Sequence, residues 1–225
     1  MKLTDNLFFY PEKGMPSSNT YVVKDDVCVL IDPGTEMYLP GLIQDMGRDG
    51  IKPEDIDIIT NTHLHPDHCW GNQALKNISG ARIAIHSIQK QYYRQNVVEL
   101  PKLFSAVIDL GSEPKEFKED SLLDESLKTG NIEMELIHAP GHSPDSICFY
   151  CRDKKFLICG DVVFAQSTGR VDFPGGNAGV LKNSIEGLAR LDIEYLLPGH
   201  MNILEGAEVI KKNFNFVRQY VFPWL

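Results

Sequence analysis

Three features of this 225-residue chain predict an α/β fold. Short apolar, β-branched runs such as Val27-Cys28-Val29-Leu30-Ile31 and Ile56-Asp57-Ile58-Ile59-Thr60 alternate with stretches of helical spacing such as Leu39 to Gly47, the pattern of strands linked by helices. The hydrophobic content of 43% is enough, at this length, to bury a substantial core. A turn crowded with imidazoles and a carboxylate, Thr62-His63-Leu64-His65-Pro66-Asp67-His68, directly follows one of the apolar runs, at the carboxyl end of a strand, where α/β sheets place their sites. No Pro-rich or Ser-rich linker interrupts the chain, so residues 1–225 are expected to form a single domain.

Taken in order, the amino-terminal part reads as strands at Leu7 to Tyr10, Thr20 to Val23 and Val27 to Ile31, the last closed by the turn Asp32-Pro33-Gly34. Leu39 to Gly47 reads as a helix, and Pro53-Glu54-Asp55 opens the strand leading to the histidine turn. Cys69 to Lys76 reads as a helix, Arg82 to Ile85 as a strand, and Ser87 to about Asn96 as another helix. His86, between the last two, is expected to be a structural hydrogen-bonding group. Val97 to Gly130 is the least informative stretch and the candidate for a mobile cover; within it Glu113 to Asp120 is charged and expected on the surface.

Ile132 to Ile137 alternates as a half-exposed strand and delivers His138-Ala139-Pro140-Gly141-His142. Ser146 to Cys151 reads as a strand, and Lys155 to Cys159 as a continuous apolar one closed by Gly160, which permits close backbone approach beside Asp161. Ala178 to Leu191 reads as a helix, Tyr195 to Leu197 as a strand, and Glu205 to about Val221 as a last helix before the apolar tail Tyr220 to Leu225, expected to pack on the chain's own core.

The formal net charge of −9 disfavours a polyanionic partner, so a small-molecule substrate is expected, with no nucleic acid and no membrane. No apolar run reaches signal-peptide or bilayer length, which makes the cytoplasm the expected compartment. Five cysteines without framework spacing suit reduced thiols. Cys148 and Cys151 match C-x-x-C, yet three positions along a strand put them on opposite faces, so core packing is favoured over redox chemistry. Cys69, beside His68, is expected to be buried packing near the site. Oligomeric state stays open.

The histidine turn carries chemistry through its spacing. His63 and His65 are two apart, so in an extended segment their imidazoles project to one side and can close on one cation. Pro66 suits the start of a helix, which carries Asp67 and His68 round to face elsewhere and suggests a second metal. The bland alternative, a histidine-rich surface turn, has no need of nitrogen and oxygen donors at metal-binding spacing.

His63-Leu64-His65-Pro66-Asp67-His68 resembles the H-x-H-x-D-H signature of the metallo-β-lactamase-fold superfamily. His142 in Pro140-Gly141-His142-Ser143, Asp161 in Gly160-Asp161 and His200 in Pro198-Gly199-His200 fill that family's remaining ligand positions in order, and Gly169 to Gly176 is similar to a loop of its glyoxalase II-like branch. The resemblance runs from the strand before Asp32 to His200 and implies a four-layer αββα sandwich, two mixed β-sheets flanked by helices. It implies two divalent metal ions, zinc first and iron or manganese as alternatives: His63, His65 and His142 on one, Asp67, His68 and His200 on the other, Asp161 bridging. Between them would lie a hydroxide, with Asp67 its catalytic orienter. Asp32 matches a supporting acid that would fix a ligand imidazole; turn formation is the alternative. His142 is preferred to His138 because the family ligand follows the Pro-Gly pair.

The activity so implied is hydrolysis of a small thioester of the hydroxyacyl-thiol type, since the true β-lactamases of this fold generally lack an aspartate at the position of Asp161. A thiolate leaves without a strong general acid, its pKa being about 8.5. Glyoxalase II proper carries a further carboxyl-terminal helical region for glutathione, whereas one helical stretch follows His200 here, which leaves the thiol half of the substrate open. Arg170 and Lys182 are candidate contacts for an anionic substrate, with surface ion pairing as the alternative for each. The second reading is a persulfide dioxygenase of the same fold, with one iron on His63, His142 and Asp161. A phosphodiesterase or nuclease is disfavoured by the acidic balance.

Overall fold

The computed structural model describes residues 1–104 and 114–225. Its first sheet contains β1 (Leu7–Tyr10), β2 (Thr20–Lys24), β3 (Cys28–Ile31), β4 (Ile58–Thr60), β5 (Arg82–His86) and β6 (Ser121–Leu123), side by side in sequence order. β1 to β3 pair antiparallel and β3 to β6 parallel. The second sheet contains β7 (Ser126–Lys128), β8 (Glu133–His138), β9 (Ile147–Cys151), β10 (Phe156–Gly160), β13 (Tyr195–Pro198) and β14 (Leu204–Glu205), in the order β14-β13-β10-β9-β8-β7. The short hairpin of β11 (Val163–Phe164) and β12 (Ser167–Thr168) stands apart.

Strand alternation builds the layers. Leu7, Phe9, Tyr21 and Val23 face Phe149, Cys151, Ile158 and Leu197 across the gap between the sheets, while Phe8, Tyr10, Val22 and Leu30 point outward to helices, as a period of two requires. On that outer face lie Leu42 and Met46 of α1 (Leu39–Arg48) and Leu75 of α3 (Asn72–Ser79). The second sheet's outer face, with Tyr150, Leu157 and Leu196, receives Leu181, Ile185 and Leu188 of α6 (Ala178–Leu188) and Ile210 and Phe214 of α7 (Ala207–Phe216). Three apolar layers therefore separate helix, sheet, sheet and helix, the expected αββα sandwich of two mixed sheets.

Cys148 belongs to the helix-facing layer and Cys151 to the inter-sheet layer, opposite sides of one strand, and all five cysteines are free and buried. The expected helix from Cys69 to Lys76 is instead two: α2 (Pro66–Cys69) and α3, broken at Trp70-Gly71. The break lets the Gly71 amide donate to Gly34 O at 2.7 Å. Pro53–Asp55 forms a 3-10 turn before β4, not the start of the strand, and the helix from Ser87 ends at Tyr93 (α4) before widening into a π-helical turn over Arg94–Glu99 that leads to α5 (Leu100–Phe104). The last helix begins at Ala207, because Leu204 and Glu205 pair with β13 instead. In the tail Val221, Phe222 and Leu225 pack on the core, but Tyr220 and Trp224 remain exposed. The charged segment from Pro114 is mostly exposed apart from the buried Phe117; the expected cover falls in part on residues 105–113, outside the described residues. Among the described residues no helix is long and apolar enough to cross a membrane.

Candidate metal centre

The topology brings five loops to one end of the sandwich. In the first sheet β3 and β4 run parallel, and in the second β8, β10 and β13 run the same way as one another, so their carboxyl ends carry Asp32, His63 to His68, His142, Asp161 and His200 to a common mouth. All seven candidate ligands from the sequence meet there. His63, His65 and His142 form one group, Asp67, His68 and His200 a second, and His63, His68 and Asp161 a third between them, each offering donor atoms within 4.8 Å of one another.

Distances within the cluster are short. His142 Nε2 lies 3.0 Å from His65 Nδ1, and Asp161 lies 3.4 Å from His68 Nε2 and 3.5 Å from both His142 Nε2 and His200 Nε2. Asp67 Oδ2 is 3.2 Å from His200 Nε2. The Nε2 atoms of His63, His65 and His68 and Oδ1 of Asp161 are buried with no hydrogen-bond partner among the described residues. Burying an unpaired polar atom is costly, and a nitrogen and oxygen donor set converging on shared points is what a divalent cation would satisfy. The residues therefore fit a pair of metal ions.

The far side of most imidazoles is held by protein. Asp32, fully buried and at φ 57°, turns its carboxylate back under the site, a left-handed conformation that aspartate tolerates better than most residues. It accepts from the Thr62 amide at 2.8 Å and the Thr62 hydroxyl at 2.7 Å and contacts His68 Nδ1 at 2.9 Å. Thr62 Oγ in turn lies 3.2 Å from His63 Nδ1, and His142 Nδ1 donates to Arg170 O at 2.7 Å. His200 Nδ1 meets the Glu12 carboxylate at 2.8 Å. The chain bends at Thr62-His63 and is extended again at His65, with φ −72° and ψ 152°, and the Leu64 amide is pinned to the buried Asp145 carboxylate at 3.0 Å, which also accepts from Asn96 Nδ2 at 2.8 Å.

Electrostatics divide the cluster. Burial, and then the neighbouring imidazoles, hold His63 well below its ordinary pKa and His65 down to about 3. Burial works against charge on His68 too, but Asp32, Asp161 and Asp67 together outweigh it and raise the imidazole to about 10. The same contest raises His200 to about 12 through Asp161, Asp67 and Glu12. Asp67 is pulled down to about 2, its burial overcome by His68 and His200.

Close approach makes glycine necessary in two of these loops. A Cβ on Gly160, at φ +49°, would come within 2.6 Å of Thr62 Cβ, and one on Gly199 within 2.7 Å of His68 Cε1. Phe173 sets its ring 5.8 Å from that of His65, and Phe164 its ring 6.0 Å from that of His200, forming apolar walls.

Other residues singled out in the sequence stand elsewhere. Arg170 pairs its guanidinium with Asp172 and covers the Phe173 ring at 4.2 Å, so it reaches the cluster through its main-chain carbonyl. Lys182 extends over the Phe222 ring at 5.8 Å, toward the carboxyl-terminal tail. His138 is exposed with Nε2 2.8 Å from Pro144 O, and His86 is held between Asp124 O and the Ile88 amide. Cys69 Sγ donates to Leu64 O at 3.5 Å within the core. Sequence reasoning missed Glu12, Thr62, Asn96 and Asp145. Only Asp145 carried a signal, a carboxylate three residues after a candidate ligand.

A family model described as the metallo-beta-lactamase superfamily matches residues 14–200. A probable metallo-hydrolase of Methanocaldococcus jannaschii is 35% identical over 192 residues, covering 83% of this chain and 89% of that protein. A hydroxyacylglutathione hydrolase of Psychromonas ingrahamii is 25% identical over 210 residues, 92% of this chain and 68% of the other. Among solved structures, the BLEG-1 B3 metallo-beta-lactamase superposes with a TM-score of 0.75 at 26% identity, covering 92% of this chain and 95% of that one.

Proposed function

The chain belongs to the metallo-beta-lactamase superfamily, and from that premise we propose that it is a metal-dependent hydrolase with a binuclear centre, acting on a small thioester of the hydroxyacyl-thiol type. One observation carries the reading: the groups His63-His65-His142 and Asp67-His68-His200 are joined by a third, of His63, His68 and Asp161, and buried donor atoms of the cluster have no hydrogen-bond partner among the described residues. His63, His65 and His142 would hold the first ion, Asp67, His68 and His200 the second, and Asp161 would span both. Bound divalent ions, zinc first with iron or manganese as alternatives, would supply a Lewis acid and a water acidified toward neutrality, so that no serine or cysteine nucleophile is needed.

The protein's own groups do the rest. Asp67, held near 2, is ionised throughout the neutral range and can accept a hydrogen bond from an attacking water and aim it. Asp32 locks His68 directly and His63 through Thr62, so those imidazoles meet the reacting centre already oriented. Phe173 and Phe164 set apolar rings beside His65 and His200. The thioester is favoured because a thiolate leaves unaided, its pKa being about 8.5, and because the similar Psychromonas protein is a hydroxyacylglutathione hydrolase. Arg170 would meet an anionic substrate as a guanidinium already paired with Asp172 through Nε and Nη2.

The deciding experiment combines metal analysis with a panel of hydroxyacyl and acyl thioesters, a β-lactam control and an oxygen electrode. Two metals per chain with thioester cleavage and no oxygen uptake are expected. One iron per chain with oxygen consumption on glutathione persulfide would replace the hydrolase by the dioxygenase, which makes no use of the Asp67, His68 and His200 group.

A further inference from the structure

The ligand-bearing loops differ in how they are anchored. His63, His68 and His142 sit on buried loops, and their off-site nitrogens contact Thr62, Asp32 and Arg170, each itself tied to the core or to the same loop cluster. His200 is the more open member, at 22% exposure against none for His68. Its loop, Pro198 to Met201, ends on a non-glycine residue at φ 65°, a conformation held only where neighbouring groups over-determine it.

Those neighbours come from the other end of the chain. Asn19 donates from its side chain to Pro198 O and Met201 O, both at 2.9 Å, and from its amide to Gly199 O at 2.7 Å. Tyr21 donates its hydroxyl to Pro198 O at 2.7 Å. Glu12, in the coil between β1 and β2, accepts from the Met201 amide at 3.2 Å on one oxygen and contacts His200 Nδ1 at 2.8 Å with the other. Its own amide donates to Asn19 Oδ1 at 3.0 Å, which ties the two anchoring residues together.

We propose that Glu12 is a positioning residue for the second metal position: its carboxylate, aligned by Asn19, accepts a hydrogen bond from the Nδ1–H of His200 and so keeps Nε2 turned toward Asp67 and Asp161 as the atom left for the metal. The geometry agrees, since Nε2 stands 3.2 Å from Asp67 and 3.5 Å from Asp161. Without the carboxylate, His200 can swing or adopt the other tautomer, and the last donor of the second group is lost while the first group, which Glu12 does not touch, keeps its donors. The inference rests on the binuclear reading above. Partners of this kind are typically worth 10- to 100-fold in metal affinity.

The test is stepwise Zn2+ binding to metal-free protein by competition with a chromophoric chelator, repeated with Co2+ to read each site's visible spectrum, for wild type, Glu12→Ala and Glu12→Gln. In Glu12→Ala the second dissociation constant is expected to rise about 10- to 100-fold, with the first within about threefold and the spectrum of the first cobalt unchanged. Glu12→Gln, which keeps an acceptor oxygen, is expected to recover part of the loss and remains informative should the alanine variant misfold. Equal weakening of both sites, or a second constant within about threefold of wild type, would overturn the proposal. Wild type taking up one metal would instead overturn the binuclear reading and this proposal with it.

Discussion

Replacing Gly199 by alanine tests the packing of the site most directly. An ideal Cβ at that position would stand 2.7 Å from His68 Cε1, 3.1 Å from Gly160 C, and nearer still to Asp161 Oδ1. Ordinary carbon contact begins at about 3.5 Å, so the overlap with the imidazole is about 0.8 Å. His68 cannot retreat, because Asp32 holds its other nitrogen at 2.9 Å inside the core. The strain therefore falls on Asp161 and on the 199–200 backbone. Overpacking of this size costs about 1–3 kcal/mol, which in a chain of this length lowers Tm by about 2–12 °C. Displacing a reacting or ligating group by about 1 Å costs on the order of 100-fold in rate. The expected signature is thus a modest loss of stability beside a large loss of kcat/KM and of bound metal. Thermal melting, metal analysis and thioester kinetics on purified protein read all three. Gly187→Ala is the control: it lies in α6 with nothing within 4 Å of the added carbon, and is expected to raise stability by about 0.5–1 kcal/mol with turnover unchanged. Full metal content and turnover within about threefold of wild type in Gly199→Ala would refute the reasoning.

Three further outcomes follow from the same geometry. Asp161→Ala is expected to lose metal and turnover while His138→Ala keeps both, since His138 points to Pro144 O and not to the cluster; equal metal loss in the two would reverse the choice of histidine. Asp32→Asn cannot accept at both Thr62 and His68, and breaking such a buried pair costs about 3–5 kcal/mol, so the metal-free variant is expected to melt about 6–20 °C lower; an unchanged melting curve would remove Asp32 from the support of the site. Metal uptake should also be pH-dependent in a site-specific way. His68 and His200 titrate at about 10 and about 12, so below those values the metal-free protein holds their protons, and a cation must displace them because only the neutral imidazole binds metal. Affinity for the second group is therefore expected to climb with pH across the neutral range, and its loading to release protons. His63 and His65, titrating far below neutrality, have none to give, so a first equivalent that releases more protons than the second would contradict the assignment.

Much of this was legible from residue order alone. Continuous apolar runs at Leu7 to Tyr10 and Ile147 to Cys151 marked strands buried on both faces, and the period of two along a strand separated Cys148 from Cys151. The donors in His63 to His68 were legible because local spacing governs where neighbouring side chains point. Helix ends were less so. Gly71 broke a helix to approach Gly34, and Glu205 left one to pair with β13, in each case because a distant main chain offered a hydrogen bond in place of the next helical turn.

By itself the order of residues determined the α/β class and the types of donor available, since both follow from short-range periodicity and side-chain chemistry, while the four-layer arrangement was implied by the family resemblance. Only the tertiary structure decided that Arg170 serves through its carbonyl, that Asp145 pins Leu64 from 81 residues away, and that Glu12 reaches His200 across 188. Such pairings depend on which strand ends the parallel topology sets side by side, and nothing in the spacing of one segment encodes its distance from another.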